Sequence, residues 1–384
     1  MKKNITTVVM MTIGIVVGAR IGNQFSAIIG DYRWGLVGSG EFLINIGILL
    51  VAMASGYFLH IAVHEAGHLL AGLISGYSFV SYRFLSLVLV KDNDRLVRRK
   101  YNIVGTAGQC LMSPPDAVDG TFPVILYNLG GSIMNFLVCG ACYTVYMILP
   151  GVHALVSLTL LMVARIGVIL FLISFVPLSI NGVANDGYNA FTLGRKEKAR
   201  FAFWLMLRVN AMVTQGVRYS DHPAEWFGLI DSSDLSDPIM AGLAILKYSY
   251  MMDRNELREA RALAESMLNA PGEMLELHQN ELRCELLFHE LIGECRKEEI
   301  EYLYNKKLSK YIKATSSYMS RQRMLYAYAR LFLNDQAKAD AAHRLFEKAC
   351  SHSPFPGEIA GERALVGLID SLAESRGTYN SWIY

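Results

Sequence analysis

His64 and His68 stand four residues apart, with Glu65 directly after the first, in the sequence His-Glu-Ala-Gly-His. On a helix this spacing stacks the two imidazoles one turn apart on one face, so both can reach a single metal ion. Glu65, beside the first ligand, can move protons to and from a water without binding the ion itself. Zinc suits such a pair, because neutral imidazole binds it well and it lowers the pKa of a bound water to about 7. A catalytic zinc also needs a third protein ligand. Asp186 lies in SINGVANDGYNAF, residues 179–191, where an apolar run ends. An acid there either caps the next element or completes the ligand set. Paired with His64 and His68, the ligand reading is preferred.

The elements that must position these residues are apolar. Runs cover residues 5–22, 42–63 (continuing into the His64 segment), 124–149 and 154–180. Each approaches the ~20 residues that cross a bilayer. A charged residue at the centre of such a helix costs roughly 2.5–3.5 kcal/mol on insertion scales, so ionisable groups there mark function by default. The first run follows Lys2 and Lys3 and reads either as a signal peptide or as a retained signal-anchor helix; the anchor is preferred, because no small-residue cleavage site is clear. Arg83, Lys91, Arg95, Arg98, Arg99 and Lys100 separate the second and third runs, and Arg195, Lys196, Lys198 and Arg200 follow the fourth. The connection at 150–153 has no Lys or Arg. The positive-inside rule then puts both termini, the 77–123 segment and everything after 190 in the cytoplasm. Arg165, inside the fourth run, marks the outer boundary of a helix starting near it, snorkels, or pairs with an acid; boundary placement is preferred.

Composition agrees with a mixed architecture. Of 384 residues, 53% are hydrophobic and 18% charged, which is too apolar for an ordinary soluble enzyme and too mixed for a bare membrane bundle. A net charge of +2 with no basic stripe argues against a nucleic-acid partner. The six cysteines include one Cys-x-x-Cys pair, Cys139 and Cys142, inside the third apolar run, and are otherwise scattered; they read as free thiols, not a disulfide framework. Residues 79–103 alternate β-branched and aromatic residues around Lys-Asp-Asn-Asp and predict a membrane-associated β-hairpin. Residues 104–123, dense in Gly and Pro, predict an irregular loop. After 236 the pattern becomes helical. Leu257, Ala260, Leu263, Ala264, Met267 and Leu268 form one stripe, and Ala342, Phe346, Ala349 and Pro354 fit one tetratricopeptide-type helix. The fold class expected is a polytopic α-helical membrane protein with about four transmembrane helices, plus a C-terminal all-α cytoplasmic domain of stacked helices. The divisions are 1–41 (signal anchor and outer loop), 42–192 (membrane core), 193–235 (membrane-proximal linker, with basic and aromatic residues such as Phe203 and Trp204) and 236–384 (helical domain).

His64-Glu-Ala-Gly-His68 in one membrane helix, Asn185-Asp186-Gly187 at the end of another, and Gly131-x-x-x-Asn135 between them resemble the site-2 protease family of intramembrane zinc metalloproteases. The resemblance covers roughly residues 42–192. It implies a three-helix catalytic core, one Zn2+ per chain held by His64, His68 and Asp186, and Glu65 as catalytic acid and base. It implies a substrate-positioning role for Asn135, which otherwise reads as a polar helix–helix contact, and a hairpin that helps hold an extended substrate strand. The chain departs from the family in lacking a PDZ or nucleotide-sensing module. It also has Asn181-Gly182 where proline-rich versions are common; Pro177 offers the helix break instead.

Three functions are consistent with these residues. The first is an intramembrane endopeptidase of a bacterial plasma membrane, cutting membrane proteins or peptides near the cytoplasmic face in regulated proteolysis. The second is a maturation protease for small secreted peptides such as pheromones or bacteriocin-like peptides. The third is a catalytically idle adaptor whose membrane core anchors a helical domain that recruits a protein partner. Intact chemistry at all four polar positions argues against the third.

Overall fold

The computed structural model describes residues 39–381 apart from 94, 119, 150–153, 181, 229, 231 and 271–273. The expected signal-anchor helix and the 150–153 connection lie outside those residues. By contacts the chain forms two compact units, one running to Gly67 and resuming over Leu129–Val176, the other comprising His68–Asn128 and Pro177 onward. The division falls inside two continuous helices, Ser39–Ile74 and Ile125–Ile148.

Among the described residues, three helices are long and apolar enough to cross a membrane: α1 (Ser39–Ile74), α2 (Ile125–Ile148) and α3 (Ala154–Phe175). They carry large apolar side chains outward, among them Val51 and Ile74 of α1 and Phe136, Leu137 and Ile148 of α2. Such faces are stable only against another apolar medium or partner. In the first unit their own contacts are small. Ala52, Leu158, Leu161 and Met162 form one cluster, Phe136 meets Phe171, and the Ser132 and Ser174 hydroxyls lie 2.8 Å apart. Small residues and hydroxyls are the usual means of joining helices where burial gives no driving force. Helix α3 ends at Phe175, just ahead of Pro177, as a proline requires. Arg165 falls mid-helix, not near a helix start: the apolar residues after Ala154 continue the helical turn without a break.

The second unit opens with an antiparallel sheet of strands β1 (Ser78–Phe84), β2 (Leu87–Asp92), β3 (Arg95–Lys100) and β4 (Gly108–Ser113), ordered β3-β2-β1-β4. The turn at Lys-Asp-Asn-Asp is where the sequence put it, between β2 and β3 with Asp92 opposite Arg95. The rest is wider than the hairpin expected. The run 79–90 breaks at Leu85, which adopts φ 53° without the Gly or Asn that would signal it. The Gly- and Pro-rich loop contains β4, whose Cys110, Leu111 and Met112 are buried against β1. Arg83, one of the charges used for orientation, is itself buried. Its guanidinium donates to the carbonyls of Leu85, Thr106 and Gly108 at 2.9–3.1 Å, fastening the β3–β4 connection.

A short ribbon of β5 (Ser179–Ile180) and β6 (Val183–Ala184) leads into α4 (Asp186–Thr192) and α5 (Glu197–Thr214). Phe203 and Trp204 of α5 are buried, and the Trp204 indole donates to the Pro115 carbonyl at 2.8 Å. They share a core with Tyr77, Met112 and Tyr127 and with Ile239, Met240 and Leu243 of α6 (Pro238–Asp253), so this core does not stop at residue 235. The array continues as α7 (Leu257–Leu268), α8 (Glu276–Ile292), α9 (Lys297–Leu303), α10 (Lys306–Ala314), α11 (Met319–Ala327), α12 (Gln336–His352) and α13 (Pro356–Ser381). Ala260, Ala264 and Met267 form the buried stripe of α7, and Ala342, Phe346 and Ala349 that of α12.

The array holds the sheet by the segment after β3. The Tyr101 ring stacks on Tyr318 and meets Phe355 edge-on, with centroids 6.0 and 5.6 Å apart, and the Val104 amide donates to the Tyr318 hydroxyl at 2.8 Å. Below it lie buried guanidinium groups: Arg321 pairs with Glu281, and Arg323 with Glu285 and Glu362. Glu358 accepts from the Tyr219 hydroxyl at 3.1 Å. Burial, with the Glu362 carboxylate adding, pushes the Glu358 carboxyl up to about 7. A carboxyl raised in the folded state favours folding while protonated and loses that contribution as pH rises through its folded value. Denaturant unfolding should therefore show this unit losing the Glu358 contribution between about pH 4.5 and pH 7, with Glu358→Gln flattening that slope. A slope unchanged by the substitution would exclude Glu358 as its source.

Candidate metal centre

Helix α1 carries His60, His64 and His68 at successive turns of one face, with Glu65 beside the second. His68 is buried. Its Nδ1 lies 2.8 Å from the Tyr127 carbonyl, which can only accept, so Nδ1 carries the proton and Nε2 the lone pair. Tyr127 is itself fixed by stacking on Tyr77, with centroids 4.5 Å apart.

Asp186 opens α4. Capping of that helix falls to its neighbour: the Asn185 side-chain oxygen accepts from the Tyr188 amide at 2.8 Å and from the Leu178 amide at 3.0 Å. The second bond ties the helix start to the strand leaving α3, and so fixes where the aspartate stands. Asp186 Oδ2 is 3.5 Å from His68 Nε2. Of the two roles the sequence left to Asp186, the cap belongs to Asn185.

His64, His68 and Asp186 each offer a ligand atom, and these atoms all lie within 4.8 Å of one another. This group could hold a metal ion. Two imidazoles and one carboxylate form a donor set of the kind that would hold a divalent metal such as zinc. The hydrogen bond from His68 to a backbone carbonyl is the usual outer support of a metal-binding imidazole. No protein-family model, curated protein or solved structure matches the chain. What the centre can do is thus read from its own geometry.

Asn135 is buried on α2, with its two amide atoms 3.1 Å from His60 Nδ1 and 3.2 Å from His64 Nδ1. One turn earlier is Gly131, where a Cβ would sit 2.5 Å from the His64 ring. The Gly-x-x-x-Asn spacing is therefore one helical turn that first makes room for His64 and then bonds it. Gly67 allows the same closeness between backbones, since a Cβ there would lie 2.2 Å from the Gly130 carbonyl oxygen.

His60 was missed in the sequence reading. It is fully buried, and its Nε2 lies 2.8 Å from the Val163 carbonyl. A signal was present: a third histidine one turn before the pair extends the polar stripe of an otherwise apolar helix.

Proposed function

We propose that the chain is a membrane-spanning zinc endopeptidase of the site-2 protease type, which hydrolyses peptide bonds of membrane-embedded proteins or peptides near the cytoplasmic face. The observation that carries this reading is the convergence of His64, His68 and Asp186, on helices bordering apolar spans, with Glu65 adjacent to the first ligand. His64, His68 and Asp186 would hold the ion. When bound, zinc supplies Lewis acidity toward the scissile carbonyl and an acidified water at neutral pH.

The chain's own groups do the rest. Glu65 takes a proton from the water as its oxygen adds to the carbonyl carbon, then delivers a proton to the amide nitrogen as the C–N bond breaks. An intact substrate helix hides its carbonyls in intrachain hydrogen bonds, so the substrate must be extended at the cut. The sheet beside α1 begins only a few residues after that helix ends and is suited to hold such a strand. The helical array, fastened to the sheet through Tyr101, is suited to receive a protein partner or the substrate's cytoplasmic segment.

The full chain, purified in detergent and supplied with a fluorogenic apolar peptide, should cleave it. Removing the metal with a chelator should abolish that cleavage, and stoichiometric zinc should restore it. Cleavage that persists after the metal is shown to be gone would refute the reading.

A further inference from the structure

We infer that His60 and Asn135 form a hydrogen-bonded bridge that holds His64 in the tautomer able to bind metal through Nε2. The inference rests on the zinc reading above and adds two positioning residues to it.

The protons decide the direction of the bridge. The Val163 carbonyl only accepts, so His60 Nε2, 2.8 Å away, carries a hydrogen. A neutral imidazole has one N–H, which makes His60 Nδ1 an acceptor. The alternative, a doubly protonated ring, would place a cation at a fully buried position. His60 Nδ1 therefore needs a donor, whereas the structure sets the Asn135 carbonyl oxygen 3.1 Å from it and the amide nitrogen toward His64 Nδ1, so the side-chain amide must be turned over to supply one. The two ends of that amide exchange places by a half-turn of its terminal torsion, and the hydrogen-bond network decides between them. Both orientations satisfy the distances, but only one satisfies the protons. With its NH2 toward His60, Asn135 donates to His60 Nδ1 and presents its carbonyl oxygen to His64 Nδ1, 3.2 Å away. His64 then donates from Nδ1 and keeps the lone pair on Nε2. The opposite orientation would put the His64 proton on Nε2 and remove it as a ligand atom.

The outcome for His64 equals that for His68, whose Nδ1–H is taken by the Tyr127 carbonyl. His64 has its carbonyl supplied at one remove, from α3 through His60 on α1 and Asn135 on α2. Both rings are seated by glycines: a Cβ at Gly131 would meet His64 at 2.5 Å, and one at Gly167 would meet His60 at 2.5 Å.

The test is zinc affinity of the full-length protein in detergent, measured by competition with a chromophoric chelator, alongside the cobalt(II) ligand-field spectrum. His60→Leu and Asn135→Leu should each weaken zinc binding by about 10–100-fold, the usual cost of losing an outer partner of a metal ligand. Because both act through one chain of bonds, the double variant should bind no more weakly than Asn135→Leu alone. His60→Gln can accept from Asn135 and donate to Val163, so it should restore affinity to within about threefold and restore the cobalt spectrum. A merely structural role for His60 predicts no such rescue. Ser174→Ala, which removes a hydroxyl contact elsewhere between α2 and α3, should leave affinity unchanged. Unaltered affinity in His60→Leu, or losses that add in the double variant, would overturn the bridge while leaving the zinc reading intact. Failure of the unaltered chain to bind zinc would overturn both.

Discussion

Glu65→Gln should leave the protein inserted, folded and loaded with one zinc, yet reduce peptide cleavage by at least ~10²-fold, the contribution typical of a general acid–base group. The substitution keeps shape and hydrogen-bonding capacity but removes the carboxylate that accepts a proton. Glu65 is not among the three residues whose ligand atoms converge, so metal content should not follow activity. That separation distinguishes a protease from an idle adaptor. An adaptor would be indifferent to Glu65, and full complementation in cells by Glu65→Gln would count decisively against catalysis.

Replacing both His64 and His68 with Ala should lower metal content from about one zinc per chain to near zero, because the single remaining ligand, Asp186, cannot hold zinc at ordinary concentrations. Cleavage should fall with it. The apolar helix should still form, since Ala is the best helix former and two partly polar groups leave an apolar segment. Helical content by circular dichroism should accordingly be retained. Near-stoichiometric zinc in this variant would mean that the metal sits elsewhere, with the cysteines as the first alternative to examine.

The membrane-length helices were legible because each is a long apolar run with a proline, glycine or charge at its end. The ligand triad was legible because His64 and His68 share a helix, where spacing translates directly into geometry. Asp186 needed the break after α3 to make it conspicuous, although its placement depends on the Asn185 cap, which binds Leu178 across the ribbon. The sheet was only half legible. Its middle turn is spelled by Asp92 and Asn93, but the turn at Leu85 uses a residue with no turn preference. Strand β4 is hidden among glycines and prolines, because its pairing with β1 is decided by the burial of Met112, not by local propensity. His60 stayed hidden for a different reason. A buried histidine declares its role only through its partners, and Val163 and Asn135 are far from it in sequence. The helical array showed its apolar stripes but not its attachment, since the seating of Tyr101 against Tyr318 and Phe355 joins segments remote along the chain.

The central claim is that one zinc is held by two imidazoles and a carboxylate, and X-ray absorption at the zinc edge of the purified full-length protein tests it most directly. The predicted spectrum has only nitrogen and oxygen neighbours at about 2.0–2.2 Å, with the multiple-scattering pattern of two imidazole rings. Zinc–sulfur scattering near 2.3 Å, or the absence of imidazole features, would contradict the assignment to His64, His68 and Asp186.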